Sequence, residues 1–166
     1  MRVLGIDPGT LRLGYALVVA EGDALRLETC SILTAPSRAP LPQRLVILYH
    51  ALRGATQRLA PHVVAVEEPF VPKREQAVRT AIAIGQAQGV AFLVANGLPV
   101  VTYAPSLVKQ VVAGHGRASK GDVAEAVRLL LGLPAYPASL DIVDAIAIAL
   151  CHCLLRRSQE RLQETQ

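Results

Sequence analysis

The sequence predicts an α/β fold: a mixed sheet of about five strands with helices on both faces. Two observations predict it. The first part of the chain holds three strand-like runs joined by short turns, the pattern of an antiparallel meander. The remainder alternates helix-period segments with short, fully apolar runs, the pattern of buried parallel strands covered by helices. With 166 residues, 52% hydrophobic and 18% charged, the chain can bury a core without disulfides and is too apolar for disorder or a long coiled coil.

Arg2–Asp7 is an apolar run suited to a strand, and Pro8-Gly9 ends it. Leu13–Ala20 reads as the second strand, Gly22-Asp23 as a turn, and Ala24–Leu33 as the third strand. Ala35–Pro42 is a Pro-rich loop. Leu41–Leu59 then has helical periodicity, with Leu45, Leu48, Leu52 and Leu59 on one broad face. His62–Glu67 reads as a short strand whose interior, Val63-Val64-Ala65-Val66, is wholly apolar, so it is expected at the sheet centre. Lys73–Asn96 reads as a long helix and Pro99–Tyr103 as another buried strand. Ser106–Val112 and Lys120–Leu131 read as helices around the loop Gly114-His115-Gly116. Leu140–Arg157 is the last helix, with Ser139 placed as its N-cap. Residues 1–157 are expected to form one domain and 158–166 a short frayed tail. The order of strands and helices, βββαβαβα, is the order of the ribonuclease H-like fold.

The segment Gln76–Asn96 is apolar on nearly all sides. A domain of this size rarely encloses a helix completely, so a homodimer interface is expected along it, with Ala81 and Ala83 on the outward face. No apolar stretch reaches the ~18 residues of a bilayer span without interruption. The nearest, Thr80 to Gly97, contains Gln86, Gln88 and Asn96, so no membrane association is expected. Asp7 and Pro8 stand where a secretory segment would be apolar. Three cysteines, an odd count, fit a reducing cytoplasm, and Cys151-His152-Cys153 lacks the spacing of a zinc knuckle.

The net charge is +4, from 17 Lys and Arg against 13 Asp and Glu. The excess is concentrated. Between Pro69 and Lys120, Lys73, Arg74, Arg79, Lys109, Arg117 and Lys120 face a single acid, Glu75. A local basic surface on a small domain points to a polyanion partner, and nucleic acid is the expected one.

Three of the five aspartates lie in apolar surroundings. Asp7 ends Val3-Leu4-Gly5-Ile6, and Asp141 and Asp144 sit within Leu140-Asp141-Ile142-Val143-Asp144-Ala145-Ile146. Glu67 ends Val63-Val64-Ala65-Val66. Singly, each has a plain structural reading. Asp7 would cap the Pro-Gly turn, and Asp141 is a first-turn acid favoured by the helix dipole. Together they read differently. Asp141 and Asp144 share one helix face, and Asp7 and Glu67 emerge at one sheet edge if their strands are parallel neighbours. Four carboxylates then converge, with no arginine visible between them in the sequence. Their mutual repulsion is relieved most simply by divalent metal, and an all-oxygen donor set suits Mg²⁺ or Mn²⁺. Two such ions ~3.5–4 Å apart can activate water and stabilise the leaving oxygen of a phosphodiester.

These segments resemble a known family, the RuvC-type Holliday junction resolvases. The resemblance is carried by Leu4-Gly5-Ile6-Asp7-Pro8-Gly9-Thr10 followed by Gly14-Tyr15, and by Ala65-Val66-Glu67 followed by Phe70. It continues through Val108-Lys109-Gln110, Gly114-His115-Gly116 and Lys120, and closes on Asp141-Ile142-Val143-Asp144-Ala145 with Cys151-His152. The motifs keep family order and spacing over about residues 2 to 155. The resemblance implies a ribonuclease H-like fold and a homodimer. It implies Mg²⁺-dependent nicking of two opposed strands of four-way junction DNA, with two Mg²⁺ per subunit and Mn²⁺ able to substitute. It further implies a partnership with the RuvA–RuvB branch-migration complex. Asp7, Glu67, Asp141 and Asp144 align with the metal-binding carboxylates, Lys109 and Lys120 with basic residues near the scissile phosphate, and Phe70 with an aromatic that stacks on an unpaired base. The candidate DNA contacts are thus Phe70, Lys73, Arg74, Lys109, Gly114, His115, Gly116, Arg117 and Lys120. Glu68 stands where relatives often carry an amide. Strand alternation lets only one of Glu67 and Glu68 face the metals, and the motif favours Glu67. Two other functions share the opening motif. One is an ATPase of the actin and Hsp70 type, which needs a second lobe. The other is a YqgF-type RNA nuclease, which would not be expected to carry the Lys109 to Lys120 segment.

Overall fold

The computed structural model describes residues 1–68 and 75–164. Five strands, β1 (Arg2–Asp7), β2 (Arg12–Glu21), β3 (Ala24–Thr34), β4 (Val63–Glu67) and β5 (Val100–Tyr103), form one sheet in the order β3-β2-β1-β4-β5. The β1–β2 and β2–β3 pairs are antiparallel, and the β1–β4 and β4–β5 pairs are parallel. Five helices cover the sheet: α1 (Leu41–Leu59), α2 (Glu75–Ala95), α3 (Pro105–Ala113), α4 (Lys120–Leu130) and α5 (Leu140–Glu164). This is the mixed five-stranded sheet and element order read from the sequence.

Strand alternation divides the core in two. Val3, Ala16, Val18, Val63 and Ala65 face α3, α4 and α5, while Leu4, Ile6, Leu17, Val64 and Val66 face α1 and α2. Fully burying each of the large aliphatic side chains stabilises the fold by roughly 1.5–3 kcal/mol. Two glycines in the central strands decide how closely α5 lies on the sheet. A Cβ on Gly5 would stand 2.2 Å from the Ala145 carbonyl oxygen, and one on Gly14 would stand 2.3 Å from that of Asp141. Only a strand without side chains at these points admits the helix backbone.

The last helix runs to Glu164, beyond the Arg157 limit read from the sequence, so most of the expected frayed tail is helical. The reason is long-range. Arg157 donates to the Gly22 carbonyl, and Arg161 pairs with Asp23 at 2.7 Å, so the β2–β3 turn holds the final turns. Helix α2 also differs from expectation. Its inner side buries Ala81, Ala87, Ala91 and Ala95, and its outer side exposes Ile82, Phe92 and Leu93. Ala81 therefore belongs to the core, not to the outward face. The stretch Val78–Ala95 is long and apolar enough to cross a bilayer by length and composition, but its packed inner side is that of a core helix.

Candidate active site

Parallel pairing of Ile6 with Val66 brings the next residues, Asp7 and Glu67, out at the same sheet edge. Both lie in step with Val3 and Val63, on the face covered by α5. Asp7 pairs in register with Gly14, and it is at Gly14 that the backbone of Asp141 touches the sheet. The start of α5 is set by Ser139, whose carbonyl accepts from the Val143 N–H and whose Oγ accepts from the Ile142 N–H at 3.4 Å. One helical step further, Asp144 follows Asp141 on the same face. The four acids read from the sequence are thus brought to one corner.

Their electrostatics show the crowding. Burial, followed by the charges of Glu67, Asp144 and Asp141, raises Asp7 to about 7. Burial and then Asp144 raise Glu67 to about 7, with Lys120 and Lys109 opposing. Among the described residues no donor hydrogen-bonds to either carboxylate. The two helix acids are compensated differently. Lys120 Nζ lies 3.2 Å from Asp144 Oδ2, and Arg12 Nε lies 2.6 Å from Asp141 Oδ2. The expectation of a cluster without arginine is therefore corrected. Arg12 is the first residue of β2, 129 positions from its partner, and only the seating of α5 on Gly14 brings the two together.

Glu68 resolves as alternation requires. Its carboxylate accepts from the Thr102 hydroxyl at 2.9 Å, away from the acids. The buried amide of Gln88, read from the sequence only as an interruption of an apolar stretch, donates to the Glu67 carbonyl at 3.1 Å and ties α2 to the end of β4.

Beside the acids lies a cavity of about 240 Å³ bounded by Glu67, Asp144, Lys109 and Lys120, with apolar walls from Val108 and Val123. Both lysines named from the sequence therefore converge on the carboxylates. The loop after α3 is built differently from a free anion cradle. Gly114, at φ 87°, caps α3, and Gln110 spans the loop by donating to the Gly114 carbonyl and accepting from the Gly116 N–H. Those N–H groups are committed within the loop. His115 and Arg117 are exposed on it, and neither joins the acid cluster. Ser119 and Asp122 form a reciprocal capping box that starts α4 and so orients Lys120. Phe70, Lys73 and Arg74 lie outside the described residues.

Among the described residues no group of three or more His, Cys, Asp or Glu side chains is arranged to hold one ion. The set is split instead: among the described residues two half-buried strand acids lack donors and two helix acids carry cations. An all-carboxylate corner with two unsatisfied members still has the donor chemistry of a hard divalent cation.

A family model described as crossover junction endodeoxyribonuclease RuvC matches residues 3–152. The crossover junction endodeoxyribonuclease RuvC of Chloroflexus aggregans is 47% identical over 97% of this chain and 98% of its own length. That of Dehalococcoides mccartyi is 47% identical over 92% of this chain and 90% of its own. Among solved structures, Thermus thermophilus RuvC superposes with a TM-score of 0.85 at 36% identity, covering 96% of this chain and 97% of that one. The same protein in complex with Holliday junction substrate gives 0.86 at 35% identity, covering 96% of each chain. The sheet order, the acidic corner and these matches agree: the chain has the ribonuclease H-like fold and belongs to the RuvC family of crossover junction endodeoxyribonucleases.

Proposed function

We propose that this chain resolves Holliday junctions by paired, symmetric, Mg²⁺-dependent hydrolysis of phosphodiesters in homologous recombination and DNA repair. The observation that carries the reading is the meeting of Asp7, Glu67, Asp141 and Asp144 at one sheet edge, beside a cavity flanked by Lys109 and Lys120. The four carboxylates are the residues that would hold metal. Bound there, two Mg²⁺, or Mn²⁺ in their place, would supply an activated water and charge stabilisation at the leaving oxygen.

The chain's own groups do the rest. Asp7 and Glu67, raised to about 7 in the metal-free protein, must lose their protons to act as anionic ligands. Lys120 and Lys109 orient the phosphate over the corner and oppose the negative charge that grows on it. Val108 and Val123 restrict water at the cavity wall. His115 and Arg117 extend the basic surface along the loop towards neighbouring phosphates; Lys73 and Arg74 are assigned to DNA from the concentration of charge in the sequence, and Phe70 through the family motif.

One chain carries one set of acids, whereas two symmetric nicks need two sets at fixed separation. A C₂ homodimer supplies them. Its surface is assigned to the outer side of α2, where Ile82 is exposed and Phe92 and Leu93 line an apolar groove with Val46 and Tyr49 of α1. RuvA and RuvB are the expected branch-migration partners, and the two buried unpaired thiols of α5, Cys151 and Cys153, fit the reducing cytoplasm where the chromosome lies.

The test is incubation with a synthetic mobile four-way junction. Symmetric nicks in Mg²⁺, none in EDTA, and retained binding in Ca²⁺ are expected. Full cleavage in EDTA would overturn the active-site assignment.

A further inference from the structure

Arg12 is placed where no sequence motif assigns it a function. Its Nε is 2.6 Å from Asp141 Oδ2, the shortest ion pair among the described residues that bears on the acidic corner. Among the described residues the guanidinium makes no other hydrogen bond. The Asp141 carbonyl packs on Gly14, in the same strand as Arg12, so the seating of α5 on β2 brings this carboxylate to the guanidinium. Lys120, the other cation at the corner, lines the cavity with Lys109 and remains beside Glu67 if Asp144 is taken by another ligand. Arg12 does not line that cavity. Its side chain is 54% exposed, so water can solvate the guanidinium if the carboxylate is taken by another ligand.

We propose that Arg12 is a built-in counter-ion that occupies Asp141 in the metal-free protein and that an arriving divalent cation must displace. The inference rests on the reading that Asp141 is a metal ligand. The physical argument is competition for one carboxylate. In the metal-free state four carboxylates crowd one corner, and Arg12 relieves the member nearest solvent. A carboxylate oxygen donating to a hard cation cannot also hold a guanidinium 2.6 Å away without bringing two positive charges together. The pair therefore subtracts from metal affinity. Because both partners are partly exposed, the subtraction is modest and sensitive to salt.

The experiment measures Mn²⁺ binding to the full chain without DNA, by electron paramagnetic resonance of the free ion. It compares wild type with Arg12→Gln, Arg12→Met, Arg12→Lys and Asp141→Asn. Both neutral variants should bind Mn²⁺ about twofold to fivefold more tightly at low salt, and the gain should fade at high salt. Arg12→Lys should stay close to wild type. In an Asp141→Asn background, which itself weakens binding, Arg12→Gln should change nothing further. Unchanged or weaker Mn²⁺ binding in the neutral variants, with Asp141→Asn still impaired, overturns the counter-ion role and leaves the metal site standing; a fall in thermal stability alongside would identify a structural clamp instead. If wild type takes up no Mn²⁺, or Asp141→Asn binds as wild type does, Asp141 is not a ligand and both readings fail.

Discussion

Replacing Asp7 with Asn should stabilise the metal-free protein while abolishing its chemistry. Asp7 is raised from 3.8 to about 7, first by burial and then by Glu67, Asp144 and Asp141. Over that interval the unfolded chain has released the proton and the folded chain retains it. Stability from this group is complete below the unfolded value, falls as pH rises, and is flat again above the folded value. The rise corresponds to about 4 kcal/mol of lost stability at alkaline pH, an upper bound because Glu67 titrates over the same range and shares the repulsion. About half of it appears between about pH 5.5 and about pH 8. Asn removes the charge at nearly constant volume. Urea unfolding in EDTA should therefore show Asp7→Asn gaining on wild type by about 2 kcal/mol across that pH span. In Mg²⁺ the ranking should reverse, because only wild type gains stability from a bound ligand. Cleavage by the variant should be lower by orders of magnitude, with junction binding intact. Parallel stability profiles for the two proteins across this span would show that Asp7 is not held in the crowded, desolvated corner.

Other substitutions separate the parts of the site. Lys120→Ala and Lys109→Ala should each lower the slope of log K against log salt for junction binding by about one, and Lys120→Ala should reduce cleavage more than binding; an unchanged slope would place that lysine off the DNA. Gly14→Ala puts a Cβ 2.3 Å from the Asp141 carbonyl, so thermal or urea melts should show a loss of about 3 kcal/mol or more together with loss of cleavage, and wild-type stability would mean that α5 is not seated on β2. Ile82→Asp and Leu93→Asp place a charge on the outer side of α2, where Ile82 is 58% and Leu93 68% exposed. Sedimentation should show monomers and single nicks, whereas paired cleavage by dimeric variants would move the interface elsewhere.

The fold was legible because its punctuation is local. Pro8-Gly9 and Gly22-Asp23 end strands wherever they occur, and the apolar run of β4 shows its burial directly. The reading of β5 as a buried strand is corrected: it is the edge of the sheet, with Val100 exposed and only Tyr103 buried, because no further strand among the described residues covers its outer side. The four acids were legible because a carboxylate in an apolar run is costly without a reason, and Asp141 with Asp144 states its geometry through its spacing. The unread features were those made by tertiary contact. Arg12 is an ordinary strand-end arginine until α5 arrives over Gly14, and the turns after Arg157 show no apolar period because Asp23, far away in sequence, holds them. Gln88 had a signal, a polar residue among wholly buried neighbours on an inner helix face, but its partner is a backbone carbonyl that no motif names. The outward direction of α2 was misread at Ala81 because a helix apolar on most sides carries little information about which side meets the sheet.

The four acids bear the same charge, yet the structure relieves them by two routes, and position decides which. Asp7 and Glu67 end central strands beneath α5, where no described cation reaches a hydrogen bond to them, so repulsion and desolvation are met by holding protons. Asp141 and Asp144 stand on the helix at the rim, where Arg12 and Lys120 can approach from solvent. A ligand that gathers all four must undo both arrangements, releasing protons from the strand acids and cations from the helix acids. Uptake of divalent metal should therefore strengthen as pH rises through about 7 and level off about one unit higher, where few protons remain to be displaced. Added monovalent salt should weaken the hold of Arg12 and Lys120 on their partners as well as the attraction of the metal, so the salt dependence of uptake should be shallower than four bare carboxylates would give. The corner is assembled at a cost to the fold, and the same crowding that raises Asp7 and Glu67 is what makes a divalent cation its most effective relief.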